Sequence, residues 1–132
     1  MLLPLSRILY VEDEPDIFLV GKMALEAVGG FTVIACTSGQ EALVAAPNAR
    51  ADLLLLDVMM PGLDGLGTLK ALREIPATSR TPVIFMTAKV QATEVDVYIN
   101  LGALEVIPKP FDPMELSAQI RKIWAVHQGL KR

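Results

Sequence analysis

The sequence predicts an α/β fold: a doubly wound, five-stranded parallel sheet with helices on both faces. Short apolar runs alternate with helix-like segments along the 132 residues, and strict alternation requires a parallel sheet with right-handed crossovers. Three of these runs, at 8–11, 53–56 and 83–86, hold four consecutive apolar residues, as strands buried on both faces do. Because 52% of the residues are hydrophobic and 20% are charged, a disordered chain is excluded, and the length fits one domain over 1–132.

The remaining elements follow from caps, chain breakers and β-branched residues. A helix is expected over roughly 15–28, because the glycines at 29–30 are good stop signals. The β-branched run at 31–36 predicts the second strand, and the apolar stretch at 104–107 predicts the fifth. The other four helices are expected from about 39 to 46, ending before Pro47; from Asp64 to near Pro76; from about 91 to 101, with Gly102 as the stop; and after the capping segment 112–115.

Polar side chains follow four of the predicted strands. Glu12 and Asp13 come directly after the first strand, and Asp57 follows the third. Thr87 follows the fourth strand, and Lys109 comes shortly after the fifth. The carboxyl ends of parallel strands meet at one edge of the sheet, where open α/β folds place their sites. We therefore expect three carboxylates, one hydroxyl and one ammonium to lie together.

This set of residue types points to phosphoryl transfer. Clustered carboxylates without His or Cys among them favour a hard cation, Mg²⁺ before Zn²⁺. Asp57 is a possible nucleophile toward phosphorus, Lys109 would neutralise charge on an incoming phosphoryl group, and Thr87 could donate a hydrogen bond to it. Each residue also has an ordinary structural explanation, such as helix capping for Glu12 and Asp13 or turn formation for Asp57. Their joint position after four different strands favours the site.

These residues and their neighbours resemble the receiver domain of two-component response regulators, of the stand-alone, chemotaxis-regulator type. The resemblance covers nearly the whole chain as a single receiver domain, and implies a flavodoxin-like fold with strand order 2-1-3-4-5. It also implies a cis peptide between Lys109 and Pro110. The matching positions are Glu12 and Asp13, Asp57 with the segment 59–65 (MMPGLDG), Thr87 and Ala88, Gly102 and Ala103, and 109–111 (KPF).

The resemblance further implies a role for each site residue. Asp57 would accept a phosphoryl group from a histidine kinase or a histidine phosphotransfer protein, with Mg²⁺ as cofactor. Asp13 would be a direct metal ligand and Glu12 a ligand acting through water, while Met59 would offer its backbone carbonyl. Thr87 and Lys109 would contact the phosphoryl group. A receiver of this kind is a signalling module, which catalyses only its own phosphorylation and its own slow dephosphorylation.

Three positions depart from the family pattern. The family usually has an aromatic residue three positions before the lysine, where this sequence has Val106. No large ring can then swing between exposed and buried states, and we expect the fourth helix to carry the change instead. Met59 and Lys89 lie two residues after Asp57 and Thr87, at positions that flank the phosphoryl group and border the approach of water.

Two candidate partner surfaces follow. The first resembles the patch that docks a kinase or phosphotransfer helix, although its members could also be core residues; they are Ile17, Val20, Pro110 and Phe111. The second lies on the fourth helix, where Val95 and Ile99 are spaced i, i+4 and form either core or an output surface. The output protein is not identifiable. Either the regulator acts alone by binding a partner, or the chain is a fragment of a longer protein.

Composition and spacing weigh against other functions. The net charge of −3 gives no general affinity for nucleic acid. No apolar run approaches the ~20 residues of a membrane span, and with the single Cys36 this leads us to expect a cytoplasmic protein. A phosphate-independent pseudo-receiver stays an alternative. An aspartyl phosphohydrolase of the haloacid-dehalogenase type would need a second Asp where Met59 stands, and a flavodoxin-like cofactor carrier would need a Ser/Thr-rich loop after the first strand.

Overall fold

The computed structural model describes residues 4–130 and confirms the predicted α/β fold. Within this range five parallel strands form a sheet in the order β2-β1-β3-β4-β5, which confirms the order that the resemblance implied. The strands are β1 (Arg7–Val11), β2 (Thr32–Cys36), β3 (Leu53–Asp57), β4 (Val83–Thr87) and β5 (Ala103–Pro108). The α-helices are α1 (Pro15–Met23), α2 (Gly39–Ala49), α3 (Gly65–Arg73), α4 (Ala92–Asn100) and α5 (Leu116–Leu130).

Both faces of the sheet are covered by helices, so the central strands are buried throughout. Every residue of β3 and β4 is buried. Alternate residues of β3 point to opposite faces. Leu54 and Leu56 pack in a core cluster with residues of α2, α3 and α4, whereas Leu53 and Leu55 pack in a second cluster with α5. This explains why the sequence shows unbroken apolar runs rather than alternation in these strands.

The predicted end of the second helix was wrong. Ser38 caps α2 as expected, accepting a hydrogen bond from the Glu41 amide at 3.1 Å, but the helix continues through Pro47 to Ala49. The proline ring is exposed, while Ala46 and Ala49 are buried on the inner side of the helix. A proline this close to the end of a helix removes one hydrogen bond, and the packing of the buried alanines outweighs that loss.

The other helix boundaries agree more closely with the expectation. The helix predicted over 15–28 is present, but its last turn, Ala24–Val28, is a π-helical turn. The segment 112–115 opens the last helix as predicted: Asp112 Oδ1 accepts from the Met114 amide at 2.9 Å, and the regular helix begins at Leu116. The Lys109–Pro110 peptide is cis. No helix in residues 4–130 is long and apolar enough to cross a membrane.

Candidate functional site

Asp57 is the last residue of β3 and is almost fully buried, with 1% of its surface exposed. Its Oδ1 atom lies 3.1 Å from the ammonium of Lys109 and accepts a weaker hydrogen bond from the Met59 amide at 3.3 Å. Its Oδ2 atom is buried and has no hydrogen-bond partner among the described residues. A buried carboxylate oxygen without a partner is costly, and a cation or a proton bound there would satisfy it.

The acidic pair after β1 lies beside Asp57. Glu12 is fully buried, and its Oε1 atom accepts from the Lys109 ammonium at 2.8 Å while Oε2 accepts from the Glu14 amide at 3.2 Å. Asp13 is partly exposed. One oxygen each of Glu12, Asp13 and Asp57 lie within 4.8 Å of one another, close enough for a single metal ion to reach all three. Because every donor is a carboxylate oxygen, the set fits Mg²⁺.

The charges of this cluster shift the ionisation of its members. Burial is the main cause that raises the pKa of Asp57 to about 7; the neighbouring Glu12 carboxylate adds to the rise, and Lys109 only partly opposes it. Burial alone would lower the pKa of Lys109, but its hydrogen bond to Glu12 and the charge of Asp57 raise that pKa above its usual value. One ammonium therefore serves two buried carboxylates, and the site favours an additional positive charge.

Thr87 ends β4 on the strand next to Asp57. Asp57 is in register with Met86, which places the Thr87 hydroxyl one residue further along the same edge. The side chain is completely buried, and its Oγ1 atom accepts a hydrogen bond from the Lys89 amide at 3.1 Å. The hydroxyl proton is therefore available to another acceptor. The Thr87 carbonyl accepts from the Lys109 amide at 2.9 Å, which ties the lysine loop to β4.

The three positions at which the sequence differs from the family pattern lie in different environments. Met59 is 54% exposed and Lys89 is also exposed, so both side chains lie at the surface. Val106 is buried in the core and lies opposite Phe85 in the sheet register. Two other aromatic side chains fill this part of the core: the ring of Tyr98 from α4 lies 5.6 Å from that of Phe85 in β4.

The structure brings together the four residues of the first partner surface. Ile17 and Val20 on α1 face Pro110 and Phe111 across a groove of about 200 Å³, which Asp16 and Lys109 also line. We call this the α1 groove. Val20 is 41% exposed, whereas Phe111 is partly buried against the core.

The two residues proposed for α4 do not form one surface. Val95 is partly buried against the core, while Ile99 is 40% exposed. Val97 and Leu101 are also exposed.

Two contacts near the site were not anticipated from the sequence. The Tyr10 hydroxyl donates to the Ile17 carbonyl at 3.1 Å, which links β1 to the groove wall. Gly21 is required above that ring, because a Cβ there would lie 2.1 Å from the Tyr10 hydroxyl oxygen. The aromatic residue in β1 was visible in the sequence, but its partner lies on a helix whose rotation the sequence does not specify.

Comparisons with known proteins give a consistent picture. The family model described as the response regulator receiver domain matches residues 8–121. The transcriptional regulatory protein CpxR of Escherichia coli K12 is 43% identical over 119 residues, covering 90% of this chain and 49% of that protein. The alkaline phosphatase synthesis transcriptional regulatory protein PhoP of Bacillus subtilis is 37% identical over 118 residues, covering 89% of this chain and 48% of that protein. The chain thus spans about half the length of the curated relatives it matches.

Solved structures agree with this match. The chemotaxis protein CheY4 of Vibrio cholerae superposes with a TM-score of 0.82 at 28% identity, covering 91% of this chain and 99% of that one. The receiver domain of the sensor histidine kinase PA1611 of Pseudomonas aeruginosa, whose structure has a magnesium ion coordinated in the active site cleft, superposes with a TM-score of 0.78 at 27% identity. That superposition covers 92% of this chain and 99% of the other.

Proposed function

The chain belongs to the response regulator receiver family, and on that premise we propose that it accepts a phosphoryl group on Asp57 from a phosphohistidine donor. The donor would be a histidine kinase or a histidine phosphotransfer protein. One observation carries the proposal: the buried Asp57 has one oxygen paired with Lys109 and the other without a partner, within reach of the carboxylates of Glu12 and Asp13.

The reaction is a displacement at phosphorus. A carboxylate oxygen of Asp57 attacks the phosphorus atom, and the bond between phosphorus and the histidine nitrogen breaks with its electron pair going to nitrogen. That nitrogen takes a proton from water, so the imidazole leaves as the neutral ring. The product is an acyl phosphate on Asp57. Attack requires the ionised carboxylate, so a pKa near 7 in the metal-free protein leaves a fraction of Asp57 unreactive at neutral pH.

The metal ligands would be Asp13 and Asp57 directly, Glu12 through water and the Met59 backbone carbonyl. The three carboxylates lie close enough for this, and the buried Oδ2 atom of Asp57 lacks any other partner. When bound, Mg²⁺ would supply the positive charge that keeps Asp57 ionised and offsets charge on the phosphoryl oxygens. This assignment rests on the carboxylate geometry and on the receiver family.

Lys109 and Thr87 would hold the phosphoryl group. The Lys109 ammonium lies between Glu12 and Asp57, at 2.8 and 3.1 Å, and has three protons to donate. A phosphoryl oxygen on Asp57 could therefore take one of them without the loss of the Glu12 contact. The Thr87 hydroxyl now accepts from the Lys89 amide, and its own proton would be donated to a second phosphoryl oxygen.

The conformational change would be transmitted from the site through the loop after Thr87 to α4. Val106 is packed in the core beside Phe85 and offers no aromatic ring that could swing between buried and exposed positions. Movement of Thr87 would instead shift the 88–91 loop and bias two packings of α4. Amide exchange with a phosphoryl mimic should change mainly between Thr87 and Lys109, and a change confined to the residues around Asp57 would exclude this route.

The acceptor is tested by incubation with a small phosphodonor and Mg²⁺, followed by intact mass measurement. Wild-type protein should gain the mass of one phosphoryl group, and both chelation and Asp57→Asn should abolish the gain. Asp52→Asn is the matched control, because it changes the same side chain at the opposite end of β3. Unchanged labelling of Asp57→Asn would overturn the proposal.

A further inference from the structure

The two edge strands of the sheet, β2 and β5, differ in how their free sides are protected. On β5 the exposed Glu105 accepts a hydrogen bond from the neighbouring Val106 amide at 3.0 Å, and Pro108 at the end of the strand has no amide hydrogen to offer. Charges and prolines of this kind keep an edge strand from pairing with another chain. The strand β2 contains neither a charged residue nor a proline, so its free side lacks this protection.

The ladder between β1 and β2 shows which backbone groups of β2 face outward. The Thr32 amide donates to the Ser6 carbonyl at 2.9 Å, and the Cys36 carbonyl accepts from the amide that follows β1 at 3.1 Å. The even-numbered residues of β2 therefore bond to β1, and the amides and carbonyls of Val33 and Ala35 point to the free side. Among residues 4–130 no strand pairs with that side.

An apolar groove of about 450 Å³ lies between β2 and α2. Ile34 and Val44 line it, and the Val44 side chain is 80% exposed. Ile34 packs on this face of the sheet, whereas its two neighbours in the strand pack on the other face. Among the described residues of the lining Glu41 is the only charged one, and its carboxylate accepts from the Thr37 amide at 2.8 Å, just beyond the strand. The free edge therefore combines unpaired backbone groups with exposed apolar side chains.

We propose that β2 pairs antiparallel with β2 of a second copy of this chain, about a two-fold axis at Ile34. In this register Val33 of each copy lies opposite Ala35 of the other, and the two pairs exchange four backbone hydrogen bonds. The two Ile34 side chains face each other across the axis as a non-hydrogen-bonded pair, which has the closest cross-strand spacing. The pairing joins two five-stranded sheets into one, with the two Asp57 sites at opposite ends because the strands run in opposite directions.

Charge complementarity favours a second copy as the occupant of this edge. Glu41 lies just beyond one end of β2, bound to Thr37, and the Arg121 guanidinium lies just before the other end, 4.1 Å from the centre of the Phe31 ring. Antiparallel pairing places Thr37 of one copy opposite Phe31 of the other, so each end of the paired strands carries one acid and one base. The net charge of −3 per copy opposes association only weakly at physiological salt, because exposed charges more than about 8 Å apart are screened.

Cysteine cross-linking of the full chain tests the register, in a background where Cys36→Ala removes the native thiol. Ile34→Cys places two thiols opposite each other across the axis, at a Cα separation of about 4.5 Å that a disulfide can span. Val33→Cys is the matched control, because two Val33 positions lie diagonally, about 7–8 Å apart, which is too far for a disulfide. Mild oxidation should cross-link Ile34→Cys at least about 10-fold faster than Val33→Cys.

Association is measured by analytical ultracentrifugation over a concentration series that reaches millimolar, since a pair of five-residue strands is a small interface and forms a weak dimer. Val44→Glu puts like charges on the exposed groove wall of both copies and should weaken the dimer by about 10-fold or more. Val97→Glu, at an exposed position on α4, is the control and should leave the dimer unchanged. A chain that is monomeric at every concentration, equal cross-linking of the two cysteine variants, or a dimer that Val97→Glu weakens as much as Val44→Glu would overturn the inference.

Discussion

Charged side chains at the two ends of the sheet are compensated to different degrees. At the amino-terminal end of the strands, the partly buried side chains of Asp52 and Arg73 both bond to backbone groups. Asp52 Oδ2 accepts from the Ser6 and Arg7 amides at 3.0 and 2.9 Å. The Arg73 guanidinium donates to the carbonyls of Thr78 and Thr81 at 2.9 and 2.6 Å. These contacts join neighbouring elements and give each of the two charges partners of opposite polarity.

At the carboxyl end, Glu12 and Asp57 share the single ammonium of Lys109, and one buried oxygen of Asp57 lacks a partner among the described residues. The sequence places acids at both ends of β3, yet only the acid at the carboxyl end faces other acids. Residue type alone therefore does not mark a site. Incomplete compensation of buried charge does, because such a site gains from binding a cation or a phosphoryl group.

The largest effect is expected from removal of the shared cation. Lys109→Met keeps most of the side-chain packing but leaves two buried carboxylates without their ammonium. The free energy of unfolding at pH 8 should fall by about 3 kcal/mol or more. Added Mg²⁺ should restore part of the loss in Lys109→Met. Urea unfolding with and without Mg²⁺ measures both quantities.

Arg73→Met provides the comparison from the other end. It removes two hydrogen bonds to carbonyls, so it should also destabilise the fold. Mg²⁺ should stabilise that variant only as much as it stabilises wild type. If the loss of unfolding free energy in Lys109→Met depends on neither Mg²⁺ nor pH, the proposed difference between the two ends of the sheet is wrong.

The second effect compares the same substitution at two aspartates. Replacement by Asn should change the free energy of unfolding in opposite directions at Asp57 and at Asp52. The raised pKa of Asp57 means that the folded protein holds a proton between the ordinary pKa of 3.8 and about 7. The protonated side chain therefore stabilises the fold relative to the ionised one. That stabilisation is fully present below pH 3.8 and is lost as the pH rises through about 7. Asn cannot ionise, so Asp57→Asn should stabilise the metal-free protein at pH 8 by on the order of 2 kcal/mol and have less effect at pH 5.

Asp52→Asn should do the opposite and destabilise the fold by about 1 kcal/mol, because it weakens charge-assisted bonds to two amides. Urea unfolding in chelator at pH 5 and pH 8 compares both variants with wild type. Destabilisation by Asp57→Asn at pH 8 would show that the carboxylate is compensated after all.

Magnesium itself should have a smaller effect. Binding to the folded state alone stabilises by mass action, and about 10 mM Mg²⁺ at a dissociation constant of about 1 mM corresponds to ~1.4 kcal/mol. The stabilisation should weaken as the pH falls, because protonated Asp57 is a poor ligand. Thermal melts across a Mg²⁺ titration check this. If millimolar Mg²⁺ at neutral pH leaves the melting temperature unchanged, this would count against the carboxylate cluster as a metal site.

The smallest effect concerns how long the acyl phosphate lasts. The exposed Met59 thioether is a weak acceptor and orients water poorly. We predict that the ammonium of the exposed Lys89 reaches the phosphoryl oxygens. Changing Met59→Asn and Lys89→Glu together should speed decay by about fivefold, which corresponds to about 1 kcal/mol in the barrier. The double change should exceed either single one if the two share the water path. Decay no faster than wild type would exclude this role.

The alternation of apolar runs and helix signals was sufficient to predict the layers of the fold. Buried parallel strands are apolar throughout, and helix caps depend on residues close together in the sequence. Asp64 and Ser38 cap their helices through short-range hydrogen bonds, which sequence spacing encodes directly. Pro47 was misjudged because its cost depends on what the helix packs against. Likewise Val95 and Ile99 share a spacing but differ in exposure, since the rotation of α4 about its axis is set by the core.

The gathering of Glu12, Asp13 and Asp57 followed from strand direction, and repulsion between clustered carboxylates predicts a raised pKa. The contribution of burial to that rise did not follow from the sequence. The pKa of Asp57 depends on its burial and on a bond network that includes Lys109, which is far away in the chain. The position of Asp16 beside the α1 groove was also missed. Asp16 looks like an ordinary solvated acid in the sequence, and only the contact between α1 and the 109–111 segment places it at an apolar groove.

The acceptor assignment is tested most directly by locating the modified residue. Protein treated with a small phosphodonor and Mg²⁺ is reduced with borohydride, which converts an aspartyl phosphate to homoserine, and the peptides are then sequenced by mass spectrometry. Homoserine should replace Asp57 in the treated sample and be absent when the metal is chelated. Homoserine at Asp13, Asp52 or Asp64 with Asp57 intact would contradict the assignment of the acceptor.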